Sequence, residues 1–349
     1  MSNGIKFSRG KSFLVISLIS LVAVAVVVLA LRENLNSMLQ ALYRANFLYV
    51  PLAVLAYLSG LLIWALRWRV TLFSAGYRLS VRSIYLIIFS GIFVNNITPF
   101  TYAGGDPLAR TYILKKTQNV SYSSGFATIL AEYVFDLPLY ISLVIFGFLI
   151  SLKQMSFGYA TFMLLLWLAF MVGWSFFFNR ILSSSAGTKR IARLVSKLAK
   201  IFHRRLKTAK LERNIKEFYS SSQQIIKSRK VIFYVIILTI AVLVAVLTRL
   251  YFIFQALGYT PTLTMLFFAI TLPVLVGMIP ALPGGLGTVD AALVSVFLFS
   301  GVPFEIAVSA VLIERSITFV FSTAVGSAAF YYLGLKNFGS KKSRAKKPQ

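Results

Sequence analysis

Long uncharged apolar runs, separated by short polar or basic connections, recur along this 349-residue chain. Residues 13–31, 47–66, 121–150, 157–178, 231–257 and 304–335 each read as a helix long and apolar enough to cross a bilayer. Pro51 is tolerable in the first turn of its span, and Pro138 is expected to kink the long segment that holds it. Two further apolar regions, about 83–110 and 262–300, are interrupted. The first runs Asn95-Asn96-Ile97-Thr98-Pro99 and then Gly104-Gly105-Asp106 with Arg110 four residues on. The second runs Pro280-Ala281-Leu282-Pro283-Gly284-Gly285-Leu286-Gly287-Thr288-Val289-Asp290. Proline removes a backbone donor and glycine disfavours helix, so the helix must stop at both places. Broken backbone at membrane depth is tolerated only where protein buries it or where it lines a wet cavity.

Charge distribution sets the expected topology. The N-terminus, the connection at Arg67–Arg82, the segment 180–230 and the tail 336–349 are all basic. All of them lie on the cytoplasmic side by the positive-inside rule only if region 83–110 dips in and returns. For 262–300 parity allows either two crossings or one hairpin entering from outside, but residues 280–289 carry no charge, which favours a turn held inside the membrane. Arg67 is followed by Gly76-Tyr77 as Arg249 is followed by Gly258-Tyr259, and the spacing from Gly76 to Glu132 is that from Gly258 to Glu314. The expectation is an all-α, polytopic helical membrane protein with an inverted repeat and two re-entrant or broken-helix hairpins. Residues 1–179 form the first membrane repeat, 180–230 a basic cytoplasmic loop, 231–335 the second repeat and 336–349 a basic tail. Ile191, Leu194, Val195, Leu198, Ile201 and Phe202 keep helical spacing, which suits either an amphipathic helix on headgroups or a solvated loop helix.

Composition agrees with this pattern. The chain is 58% hydrophobic and only 13% charged, against about a quarter in soluble domains. Its net charge of +27 lies mostly between apolar runs, which points to anionic membrane lipid as the partner and away from nucleic acid. There is no cysteine, and the lone His203 sits among lysines and arginines. No Ser-His triad, histidine-bound metal or other cofactor is expected. No glycine pair is followed by Lys-Ser/Thr, so no nucleotide site is expected either.

Of nine carboxylates, Asp106, Glu132, Asp136, Asp290 and Glu314 lie in or beside apolar segments, with Arg110, Arg249 and Arg315 as candidate partners. Buried charges must pair or neutralise, so a set of structural ion pairs is one reading. The other is a binding site. Half-helix N-termini and arginines suit a phosphate, and Gly104, Gly105, Gly284 and Gly285 allow close approach to backbone. In that reading Asn95, Asn96, Gly104, Gly105, Asp106, Arg110, Gly284, Gly285, Asp290 and Arg315 bind substrate. Glu132, Asp136 and Glu314 then couple protons or serve as ion-pair partners.

These residues resemble a known pattern. Pro280-x-x-Pro283-Gly284-Gly285-Leu286-Gly287-Thr288-x-Asp290 with Gly301, Ala307 and Glu314-Arg315 is similar to the signature of the lysylphosphatidylglycerol synthase transmembrane region, or flippase-like domain, family. Asn95-Asn96-x-Thr98-Pro99 with Gly104-Gly105-Asp106 and Arg110 is similar too. The resemblance covers about residues 13–335 and implies an integral membrane protein of lipid-translocation type in the cell membrane. The family carries glutamate where this chain has Asp106 and Asp290, and Glu-Arg-x-x-Asp where it has Glu132-Tyr133-x-x-Asp136. The chain ends soon after residue 335, so lysyl-lipid synthesis by a soluble domain is not expected. The leading expectation is a flippase or scramblase-like transporter of anionic or glycosylated lipid. The alternatives are a membrane-embedded enzyme or glycosyltransferase accessory on a lipid-linked substrate, and a non-transporting scaffold.

Overall fold

A computed structural model describes residues 39–98 apart from 41, 105–151, several between 161 and 174, 208–277 and 283–345. The expected first span 13–31, the amphipathic pattern at 191–202, Pro99 to Gly104 and Pro280 to Leu282 lie outside the described residues. The described elements are all helical: α1 Tyr49–Ser74, α2 Val81–Ile97, α3 Asp106–Gln118, α4 Tyr122–Ser151, α5 Thr208–Lys227, α6 Arg229–Ala256, α7 Leu263–Gly277, α8 Thr288–Phe299, α9 Phe304–Arg315 and α10 Ser322–Ala345. A 3-10 turn, Pro283–Gly285, precedes α8, and a π-helical stretch, Ser316–Phe321, joins α9 to α10. Among the described residues, three helices are long and apolar enough to cross a membrane: α1, the Tyr122–Gly147 part of α4, and α6.

The interrupted regions fold as pairs of short helices. Helices α2, α3, α7 and α8 have 17, 13, 15 and 12 residues. At 1.5 Å per residue α2, α3, α8 and the described part of α7 each fall short of a hydrocarbon core of about 30 Å. Each short helix packs on its successor, α2 on α3 and α7 on α8.

The element boundaries recur at a constant spacing of 182 residues. Ser74 and Ala256 end long helices, Val81 and Leu263 start short ones, and Tyr122 and Phe304 start the helices that follow the pairs. Local chemistry recurs with them. Gly76 and Gly258 both take positive φ, 89° and 69°, just past α1 and α6. Behind them the Tyr77 amide donates to the Leu72 carbonyl and the Tyr259 amide to the Phe254 carbonyl, the glycine-based stop of a Schellman motif. Ser80 Oγ accepts the Ser83 amide and Thr262 Oγ1 the Met265 amide, each at 3.3 Å, capping α2 and α7. Asn119 and Gly301, both left-handed, end the second short helices.

Packing exchanges partners between the two series. Helices α1 and α6 share the most extensive contact, α10 packs on α2, and α4 packs on α7. Close crossings are made possible by Gly326, whose absent Cβ would lie 2.4 Å from the Phe89 carbonyl oxygen. The hydrophobic core runs through these crossings, from Trp68, Leu72 and Ile84 to Phe254 and Phe297.

One expectation is revised. The second span extends past Leu66, and Arg67 and Trp68 lie inside α1, buried, not in an interfacial connection. Polar neighbours on other helices receive them: Trp68 Nε1 donates to Thr128 Oγ1 at 3.1 Å. Helix α4 continues through Pro138. Proline at that position cannot donate to the Val134 carbonyl, which instead accepts from Trp174 Nε1 at 2.9 Å. Within the basic segment 180–230, Thr208–Lys227 is helix α5, packed on α4 with Ser221, Ser222 and Ile225 buried.

Candidate functional site: a charged cavity between the two breaks

The two breaks meet. The Gly284 amide donates to the Thr98 carbonyl at 3.4 Å, so the 3-10 turn sits against the end of α2. Gly284 is buried there with φ 63°, and a Cβ on it would meet Phe319 at 2.3 Å and the Asn96 carbonyl oxygen at 3.1 Å. Only glycine combines that backbone with that contact. Asn96 lies at the same junction and donates through Nδ2 to Thr323 Oγ1 at 2.9 Å and Ser322 Oγ at 3.3 Å.

Beside this junction lies a cavity of about 370 Å³. Of the residues singled out from sequence, Asn95, Asn96, Asp106, Arg110, Glu132, Asp136, Gly284, Glu314 and Arg315 line it. Asp290 does not line it but joins through Arg315. Gly105 and Gly285 are buried at the starts of the second short helices and are not in the wall. Gly104 lies outside the described residues.

The charges form four arginine-centred groups. Arg67 makes a two-pronged pair with Asp136, Nη1 to Oδ1 at 2.5 Å and Nη2 to Oδ2 at 3.1 Å, and also donates to Thr239 Oγ1 at 3.0 Å. Arg110 donates through Nε to Asp106 Oδ2 at 2.8 Å and through Nη1 to Glu132 Oε2 at 3.0 Å. Its guanidinium lies 4.8 Å and 4.7 Å from the ring centres of Trp64 and Trp68, within cation–π range. Trp64 Nε1 donates to the same Glu132 Oε2 at 3.1 Å. Arg249 pairs with Glu314 at 2.7 Å and lies 5.4 Å from the Tyr57 ring centre. Arg315 pairs closely with Asp290 through Nε and reaches the Gly284 carbonyl through Nη1 at 3.3 Å.

Sequence explains how each side chain gets there. Asp106 and Arg110 sit one turn apart on α3, so their pair is an i,i+4 contact. Gly91 on α2 leaves room for both: its missing Cβ would lie 2.6 Å from Asp106 Oδ1 and 2.7 Å from Arg110 Cγ. Asp290, in the first turn of α8, accepts the Gly287 amide at 2.8 Å and so closes the N-terminus of its own helix. Glu314 and Arg315 end α9 where the π-helical stretch begins, a local widening common at functional positions.

Arg67 is the partner that sequence reasoning misplaced, and Trp64, Tyr57, Tyr133, Tyr140 and Thr239 are wall residues it did not single out. The signal for Arg67 was present, since Arg67 and Arg249 stand at one spacing before their Gly-Tyr pairs. Arg67 also supplies to Asp136, from a neighbouring helix, the cation absent from the Glu132-Tyr133-x-x-Asp136 motif.

A family model described as the lysylphosphatidylglycerol synthase TM region matches residues 14–326. The chain belongs to that family. Its similar proteins include two UPF0104 membrane proteins at 28% identity. One, from Methanothermobacter thermautotrophicus, aligns over 93% of this chain and 96% of its own length. The other, from Pyrococcus horikoshii, aligns over 86% and 92%. A third, from Methanocaldococcus jannaschii, is 23% identical over 93% of this chain and 95% of its own length. No solved structure matches the chain. Family membership and the long apolar helices make it a multi-pass membrane protein with a setting consistent with lipid handling.

Proposed function

We propose that this family member is a lipid transporter of the flippase or scramblase type, and that its charged cavity receives the headgroup of an anionic or glycosylated lipid. The observation that carries the reading is the cavity itself. Four arginines and their carboxylates gather where two broken helices touch, among apolar helices. Charge is expensive at membrane depth, and such clusters mark substrate or ion paths. A headgroup phosphate would take an arginine from its carboxylate partner, so entry exchanges one anion for another without leaving a bare guanidinium. Arg315, with Asp290 on one side and Gly284 on the other, is the most solvent-accessible of the four arginines and the first such partner.

We also infer that the two helix series are inverted with respect to the membrane. The 182-residue recurrence of helix ends and the exchange of packing partners support this, together with the basic segments that topology must keep on one side. The sequence has no nucleotide motif, so movement would be passive or driven by an ion gradient.

The test is a headgroup-accessibility assay with purified protein in liposomes, using an impermeant reagent outside. Wild type is expected to expose inner-leaflet headgroups of its substrate lipid. Asp106→Asn and Asp290→Asn are expected to slow that exposure roughly tenfold to a hundredfold, the effect of losing one charge-assisted hydrogen bond. A protein that moves none of a range of anionic and glycosylated lipids, with and without a proton gradient, ends the transport reading. Formation of a new lipid product would favour an embedded enzyme instead.

A further inference from the structure

The charges around the cavity do not balance. Arg67, Arg110, Arg249 and Arg315 face five carboxylates, Asp106, Glu132, Asp136, Asp290 and Glu314. The apolar segments outside the described residues do not correct the difference, because 13–31, 99–104, 157–178 and 278–282 contain no charged side chain. With every group ionised the site holds one net negative charge, which is costly inside a membrane.

The surplus has an address. Three arginines are paired one to one. Asp136 has both oxygens on Arg67. Asp290 has one oxygen on Arg315 and the other on the Gly287 amide. Glu314 has Arg249 to itself. Only Arg110 serves two carboxylates, Asp106 and Glu132. Asp106 lies in the first turn of α3, where the helix dipole favours an anion. Glu132 lies mid-helix in α4 and is only 1% exposed. Its Oε2 accepts from both Arg110 and Trp64, while its Oε1 is buried without any partner. Asp106 Oδ1 is buried without a partner as well, so each of the two carboxylates on Arg110 keeps one free oxygen that can take a proton and lose none of the existing bonds.

We propose that the Asp106–Glu132 pair on Arg110 is the proton site of this cavity, the two carboxylates sharing one proton at neutral pH. Resting on the transport reading, this names the coupling ion and its seat. An anionic headgroup on Arg110 adds one negative charge, so neutrality then requires a second proton, taken up by the carboxylate that Arg110 releases. The other charged or titratable groups around the pair are Tyr57 and Arg67 on α1, Tyr133, Asp136 and Tyr140 on α4, Arg249 on α6, and Glu314 and Arg315 on α9. The arginines among them are already matched, so none supplies the missing positive charge. Trp64 on α1 only donates a hydrogen bond, and Asn95 and Asn96 on α2 are neutral.

Infrared difference spectroscopy on the purified full chain tests this without requiring transport. Wild type at neutral pH is expected to show a protonated carboxylic acid band that shifts in heavy water. Glu132→Gln should abolish it. Asp106→Asn should abolish it as well, because Glu132 then has Arg110 to itself and ionises, so the prediction survives if one variant fails to fold. Asp290→Asn should keep it. Absence of the band in wild type, or a band that survives either substitution in a folded variant, overturns the proposal. A band seen only after sodium is replaced by a bulky organic cation would assign the site to sodium and also overturn it. A wild-type band with no lipid movement in the liposome assay would instead sink the transport reading alone.

Discussion

A guanidinium inside a membrane needs a carboxylate at hydrogen-bond distance, and Arg67 shows how strictly this holds. It is 3% exposed, and its two bonds to Asp136 join α1 to α4. Arg67→Ala would leave Asp136 buried beside no cation. Removal of one partner of a buried pair destabilises by about 3–5 kcal/mol, so thermal unfolding in detergent should show a marked loss. Replacing both residues, as Arg67→Met with Asp136→Leu, should recover most of it; failure of the double variant to recover would mean the pair does more than neutralise. At Gly284 the constraint is steric. Gly284→Ala puts a methyl 2.3 Å from Phe319 on a left-handed backbone, and overpacking of this kind costs about 1–3 kcal/mol. Because the collision is at the junction of the breaks, the same variant should slow lipid exchange as well as lower the unfolding temperature.

Helices set where these residues stand. The capping pair Ser80 and Thr262 starts α2 and α7 at matching positions, each hydroxyl taking one orphan amide. Ser80→Ala and Thr262→Ala are each expected to cost about 1 kcal/mol, measured by denaturant or thermal unfolding. Equal losses fit two equivalent elements; a large loss at one and none at the other would argue against equivalence. At this scale much was legible in the sequence. Proline and glycine in an apolar run announce a break, and the run at 83–98 that leads into the first break is short for a span. The spacing of Gly76 and Gly258 announced matching helix ends. The extent of α1 past Arg67 was not legible. A local reading treats an arginine followed by tryptophan and a second arginine as a membrane boundary, and only a carboxylate on another helix reverses that.

For the whole molecule, the absence of cysteine makes topology directly testable, since any introduced thiol is unique. Arg78 and Thr260 are both exposed and stand 182 residues apart in matching turns. In intact cells, an impermeant maleimide is expected to label Thr260→Cys and to reach Arg78→Cys only after permeabilisation. Labelling of both from one side would refute the inverted arrangement. The same geometry bears on the transport proposed above. Helix α10 packing on α2, and α4 on α7, means that each broken pair is held by a helix of the other series. Relative motion of the series would therefore open the junction at Gly284 and Thr98.

By itself the sequence determined the class of solvent, the helical character and the places where helices break. These follow from composition, from run length against bilayer thickness, and from proline and glycine chemistry, all of which act within a few residues. It also named the five intramembrane carboxylates, because a charge in an oily run is visible wherever it finally points. The tertiary structure alone decided which charges meet. Asp106 and Glu132 share Arg110, Asp136 takes Arg67, and Glu314 reaches Arg249 across 65 residues of chain. Such pairings depend on which helix faces cross, and on glycines such as Gly91 and Gly326 that let them cross closely. The surplus carboxylate could be counted along the chain; that it rests on the arginine held between Trp64 and Trp68 is a property of the packed fold.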